Sequence, residues 1–184
     1  MNCTDIGTPS TATKTKLNLG CRNRTIEGFK GMDIDRHEGV DIVGDISDLS
    51  AFEDGSVAEI YSSHVLEHFP HVRTLDVLKE WARVLEPGGK LYVAVPDFAR
   101  CVELYQLLGI TQWLQDYVSG GQEYATAYHY AIMDEEKLTG LLKEAGFSDS
   151  FRVEQFPVGD PGDCSNLCSN IDNEPISLNM IATK

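Results

Sequence analysis

Three short segments near the amino end carry the residue types that could grip a nucleoside. Lys16-Leu17-Asn18-Leu19 runs into Gly20-Cys21, Gly31-Met32 into Asp33-Ile34-Asp35, and Val43-Gly44 into Asp45-Ile46. A glycine after a buried strand lets a ligand approach the backbone closely, because no Cβ stands in the way. An acid closing a second strand can accept both hydroxyls of a ribose. An acid after a third can accept a hydrogen bond from an exocyclic amine. Taken in this order, the three outline a nucleoside-shaped slot at the carboxyl ends of successive strands. The glycine turn alone is a weak signal, since Gly20 is followed by Cys21 and Arg22 rather than by the repeated glycines of a dinucleotide fingerprint.

Two further patterns invite metal chemistry. His64-Val65-Leu66-Glu67-His68 matches an inverted zinc-protease motif, with two imidazoles four residues apart and a glutamate base. That chemistry needs a sustained helix. A strand ends just before His64 and Pro70 follows His68, which leaves room for about one helical turn. The metallopeptidase reading is therefore remote. Cys164 and Cys168 lie four apart with no second Cys/His pair close in sequence, so they read as loop residues. No metal ligand set is expected.

The elements that position these residues follow from periodicity. Residues 1–15 are polar and aperiodic and read as a disordered leader. Strands are expected at Leu17–Leu19, before Asp33, at residues 40–43, at Val57–Tyr61 and at Lys90–Val95. Only thirteen positions separate Gly20 from Asp33, against about 20 in the usual dinucleotide fold. The first connections are thus expected to be compact loops in place of crossover helices. Val72, Leu75, Leu78, Ala82 and Leu85 form an apolar stripe on a helix stopped by Pro87-Gly88-Gly89. A second helical region runs over about residues 99–118, and a third is capped near Asp134 and ends at Gly146. Two strands, at 147–158 and 176–183, flank a long loop at 159–175. Residues 16–184 read as a single α/β domain.

With 15 Lys+Arg against 29 Asp+Glu the net charge is −14, which disfavours nucleic acid as substrate. The five cysteines are scattered and odd in number, against a disulfide framework. No run of 18 apolar residues suggests a membrane span and no apolar core marks a signal peptide, so a cytoplasmic protein is expected.

In combination the motifs resemble the class I S-adenosylmethionine-dependent methyltransferases, in a short bacterial-type branch. The resemblance rests on Leu17-Asn18-Leu19-Gly20-Cys21, Gly31-Met32-Asp33-Ile34-Asp35, Gly44-Asp45-Ile46, His64-Val65-Leu66-Glu67-His68, Arg83 through Leu91, and Ala145-Gly146-Phe147. It implies a Rossmann-like, mostly parallel seven-stranded sheet with a C-terminal antiparallel hairpin. It also implies S-adenosylmethionine as cofactor. Leu19, Gly20, Cys21 and Arg22 fall at the methionine part, Asp33 at the ribose, and Ile34 against the adenine. Asp45 and Ile46 fall at the adenine edge, and Ser63 near the sulfonium. Arg22 departs from the pattern, standing where a glycine is common; it could pair with the methionine carboxylate or crowd the turn. His64 falls where the family places substrate, and imidazole titrates near neutral pH, so it is a candidate base. His129, amid Tyr124, Tyr128 and Tyr130, could reach in from a flap. His68 reads as a structural hydrogen-bonding residue. The expected activity is methyl transfer to a small-molecule or carbohydrate-like acceptor. The alternative is a module that binds the cofactor without catalysis. A nicotinamide-dependent dehydrogenase is the weakest option, for want of the glycine fingerprint.

Overall fold

The computed structural model describes residues 14–169 and 172–184; most of the expected leader, residues 1–13, lies outside them. Seven strands form one sheet: β1 (Thr15–Leu19), β2 (Lys30–Asp33), β3 (Ile42–Val43), β4 (Val57–Ser63), β5 (Leu85–Pro96), β6 (Asp149–Val153) and β7 (Ser177–Thr183). Their order is β3-β2-β1-β4-β5-β7-β6. The first five run parallel, and β7 is antiparallel to both β5 and β6. This is the mostly parallel sheet with an antiparallel C-terminal pair that the resemblance implied.

Alternation along each strand sorts residues onto two differently covered faces. Leu17, Leu19, Ile60, Leu91, Val93 and Met180 face the main core. There they meet Val77, Leu78, Trp81 and Ala82 of α1 (Thr74–Val84) and Leu138 and Leu142 of α4 (Glu135–Ala145). Tyr61, Tyr92 and Ile181 face the other way, where Ile26, Phe29, Phe156 and Val158 from loops cover them. Among the described residues no α-helix precedes Thr74. The compact connections expected from the short spacings are present, and loop side chains do the covering that crossover helices do elsewhere.

Several boundaries differ from the sequence reading. Thr15 already pairs with Val57, so the sheet begins inside the expected leader. Val72 lies outside α1 and is exposed, whereas Leu85 opens β5 opposite Val57. Helical backbone is disfavoured just before Pro87, so the chain extends early and Pro87-Gly88-Gly89 forms an irregularity in the strand rather than a helix stop. The stripe that packs is Val77, Leu78, Trp81 and Ala82. The second helical region is two helices, α2 (Phe98–Leu108) and α3 (Gln112–Ser119), parted at Gly109, whose φ of 69° belongs to no right-handed helix. β3 is two residues long, and β6 stops at Val153. No helix among the described residues is long and apolar enough to cross a membrane.

Candidate active site

At the carboxyl ends of β1, β2 and β4 the chain makes tight turns that aim backbone and carboxylates into one crevice. Gly20 has φ of 70°, its N–H donates to the Met32 carbonyl at 2.8 Å, and a Cβ there would stand 2.4 Å from Val65 Cγ2. Two residues on, Arg22 also holds a positive φ, 48°, a conformation in which glycine is far less strained. Its N–H donates to Asp33 Oδ2 at 2.7 Å, and its guanidinium lies 5.9 Å from the centre of the Tyr124 ring. Asp33 is almost wholly buried, and its Oδ1 accepts from the Asp35 N–H at 3.1 Å. Cys21 is buried beside it, and burial, with Asp33 adding, pushes the thiol up to about 11.

Asp45 accepts from both the N–H and the hydroxyl of Ser47 through Oδ1, at 2.8 and 2.7 Å. Ile46 is fixed from below, its carbonyl accepting from Trp81 Nε1 at 2.9 Å. Gly20, Cys21, Arg22, Asp33, Ile34, Asp45, Ile46, Ser63, His64 and His129 all line one crevice of about 830 Å³. Leu19 does not: its side chain lies in the main core.

Where β4 ends, His64 turns with φ of 53°. Its Nε2 lies 2.8 Å from Ser177 Oγ and its Nδ1 3.4 Å from Glu67 Oε1. A short 3₁₀ turn, Leu66–His68, follows. It buries Glu67 and turns His68 outward, where Nδ1 donates to the Tyr128 carbonyl at 3.0 Å. His129 comes from the segment after α3 and donates through Nδ1 to the Tyr117 carbonyl at 3.1 Å. Its Nε2 lies 4.0 Å from Glu67 Oε1. Burial alone would raise the Glu67 carboxyl, but His64, His68 and His129 outweigh it and hold it below the ordinary value. Burial lowers His129, with Glu67 opposing.

Glu67 is the residue that sequence reasoning passed over as a site member. Its signal lay in the His64–His68 motif, but the protease pattern pairs His64 with His68. Here His64 stands off the 3₁₀ turn at a positive φ. The group that forms, Glu67, His68 and His129, has one potential ligand atom from each residue within 4.8 Å of the others. Cys164 and Cys168 belong to no such group among the described residues.

The crevice wall beyond these residues comes from α3 and two loops. Trp113 and Tyr117 stack nearly parallel, 5.7 Å apart and 11° inclined. Tyr124 also lines the crevice, whereas Tyr128 and Tyr130 stack on each other. The loop after β6 contributes Asp163, which accepts from the Tyr61 hydroxyl, and Cys164.

Residues 15–93 match the methyltransferase domain family. A comparison with curated proteins gives no match. Among solved structures the chain is similar to an S-adenosylmethionine-dependent methyltransferase from Archaeoglobus fulgidus, with 15% identity, a TM-score of 0.60, and 93% of this chain and 86% of the other covered. A Methanosarcina mazei S-adenosylmethionine-dependent methyltransferase is 21% identical at a TM-score of 0.59, covering 93% and 92%. The Burkholderia thailandensis 1,6-didemethyltoxoflavin N1-methyltransferase, with bound 1,6-didemethyltoxoflavin and S-adenosylhomocysteine, is 16% identical at a TM-score of 0.56, covering 93% and 71%. The chain thus matches the methyltransferase domain family over residues 15–93 and has the fold of these S-adenosylmethionine-dependent methyltransferases.

Proposed function

We propose that the chain methylates a hydroxyl-bearing small molecule, carbohydrate-like in character, with the nucleoside held at the β1–β3 ends and the acceptor at the His64–His129 end. The observation that carries this reading is the single crevice of about 830 Å³ that both groups of residues line. That volume lies in the range of small-molecule sites. The donor set suits S-adenosylmethionine. A carboxylate offers about four lone-pair directions, and Asp33 spends two on the N–H groups of Arg22 and Asp35. The remainder suits ribose hydroxyls. Asp45 engages Ser47 through Oδ1, leaving Oδ2 for the adenine amine. Ile34, more than half exposed at the rim, offers an apolar surface to a flat base.

When bound, the cofactor supplies an electrophilic methyl group on a sulfonium, so the protein's task is chiefly alignment. Trp113 and Tyr117 offer aromatic surface to the apolar face of a sugar or ring. His129 keeps its Nδ1 proton on the Tyr117 carbonyl and so presents Nε2 as a lone pair for the acceptor's hydroxyl. His64, held on Ser177, fixes the side of the cluster nearest Ser63. The ring-compound acceptor of the Burkholderia enzyme favours a small molecule, and the net charge of −14 disfavours a polynucleotide. The four free cysteines among the described residues suit a reducing compartment such as the cytoplasm.

Calorimetry with S-adenosylhomocysteine, followed by tritiated-methyl transfer to a panel of hydroxylated small molecules, tests this. The expected result is one site per chain with a dissociation constant on the order of micromolar, and transfer to at least one polyol or glycoside. No binding overturns the reading. Binding without transfer to any acceptor favours the cofactor-binding module.

A further inference from the structure

Glu67 is fully buried, and neither of its carboxylate oxygens has a hydrogen-bond partner. A bare buried carboxylate is costly and persists only when something positive compensates it. Proton accounting on the surrounding rings shows what is missing. A backbone carbonyl can only accept, so His68 Nδ1, on Tyr128, and His129 Nδ1, on Tyr117, both carry hydrogen. In each neutral ring Nε2 is then a lone pair. Ser177 Oγ gives its one hydrogen to the Cys164 carbonyl, so it accepts from His64 Nε2. One ring nitrogen of each imidazole and a Glu67 carboxylate oxygen lie within 4.8 Å of one another, and no hydrogen-bond donor satisfies that carboxylate.

We propose that Glu67, His68 and His129 bind a divalent first-row transition ion of the zinc, manganese or iron(II) kind, and that the acceptor docks on that ion through hydroxyl oxygens. A 2-His-1-carboxylate set with open positions is the usual form of a working, rather than structural, metal site. Two imidazole ligands argue against magnesium, which prefers oxygen. Each histidine anchors Nδ1–H on a backbone carbonyl, the outer-shell contact that fixes ring orientation in metal sites. Ligand atoms about 2.1 Å from an ion stand roughly 3–4 Å apart, so the side chains need only a small inward rotation. His68 and His129 line the crevice while Glu67 lies buried, so the open positions face the space assigned to the acceptor. The acceptor part of this proposal rests on that assignment; the ion site does not. His129 then acts on the hydroxyl through the ion.

The test uses the full chain, stripped with chelator and dialysed, and titrated with cobalt(II) by visible absorption and with zinc(II) and manganese(II) by calorimetry. No cofactor is added. The expected result is one ion per chain, with affinity falling at least tenfold in Glu67→Gln and in His129→Gln. Binding of S-adenosylhomocysteine should stay within twofold in the same variants. Should Glu67→Gln fail to fold by circular dichroism, His68→Gln and His129→Gln decide the matter. Acetohydroxamate, a bidentate oxygen probe, should shift the cobalt spectrum; an unchanged spectrum removes the open positions and the acceptor's docking. Absence of ion binding, or affinity unaltered in the variants, overturns the site. Loss of S-adenosylhomocysteine binding by the wild type, with ion binding intact, would sink the methyltransferase assignment of the crevice and leave the metal site standing.

Discussion

At the scale of single residues, Arg22 and Asp33 belong to one device. Arg22 occupies a left-handed backbone position, at a cost of order 1 kcal/mol for a non-glycine residue, and its N–H is held by the Asp33 carboxylate. The Asp33 that is proposed to meet the ribose thus also maintains the turn at Arg22. Replacing it by asparagine keeps the shape but loses the charge and sets an amide N–H₂ against one of the two backbone donors. Asp33→Asn is therefore expected to weaken S-adenosylhomocysteine at least tenfold, about 1.4 kcal/mol, and to lower the urea midpoint as well. Unchanged affinity by calorimetry would show that the ribose is held elsewhere. Both residues were legible in the sequence as positions, because glycine and acid at strand ends have local reasons. The direction of the Arg22 side chain was not. Neither the methionine carboxylate nor a crowded turn anticipates its placement over Tyr124, which arrives from a hundred residues away.

Among the elements, the strands and helices that set the crevice were readable because period-2 and period-3.6 patterns are local, and Asp134 and Gly146 cap α4 where their side-chain chemistry predicts. The segment after α3 was not readable in that way. It carries His129 to Glu67 through contacts with no sequence period: the N–H groups of Tyr130 and Ala131 both donate to the Glu67 carbonyl, and that of His129 to the Ser119 carbonyl. Hence Glu67, His68 and His129 were visible one by one but not as a group. The crossing depends on Gly120, whose φ is 79° and where a Cβ would sit 1.9 Å from the Ala127 carbonyl oxygen. Backbone on backbone cannot yield by a rotamer change, so Gly120→Ala must push residues 127–129 away from α3. The expected outcome is a stability loss of about 1–3 kcal/mol and faster hydrogen exchange at residues 129–131, with S-adenosylhomocysteine affinity kept because Asp33 and Asp45 lie on other loops. Native exchange at these amides in the variant would mean that the segment is held by its side chains instead.

For the molecule as a whole, ionisable groups buried in and around the sheet set the pH range of the fold. Burial, with Asp33 adding, pushes the thiol of Cys21 up to about 11, and burial, with Asp97 adding, pushes that of Cys101 up to about 12. Tyr92 rises to about 12, chiefly through burial and then Glu59. An acid with a raised folded pKa keeps its proton in the native chain while the unfolded chain releases it. Stability is therefore fully present below the unfolded value, near 9 for a thiol, and falls as pH climbs toward the folded value, by about 1.4 kcal/mol per pH unit for each such group. Glu80 works in the opposite sense. Its hydrogen bonds to Arg83 hold the carboxyl below the ordinary 4.5, so its contribution is present above that value and disappears as pH falls below it. His129, its imidazole lowered by burial from the ordinary 6.5, adds to the acid-side loss, so urea midpoints should be flat only from about pH 7.5 to 8.5 and decline on both sides. Cys101→Ala removes one alkaline contributor at the cost of a small cavity. It should be less stable than the wild type at pH 7.5, and the difference should shrink as pH rises to 10.5. A constant difference across that range would place the alkaline loss on the −14 net charge and its self-repulsion, which added salt would then relieve.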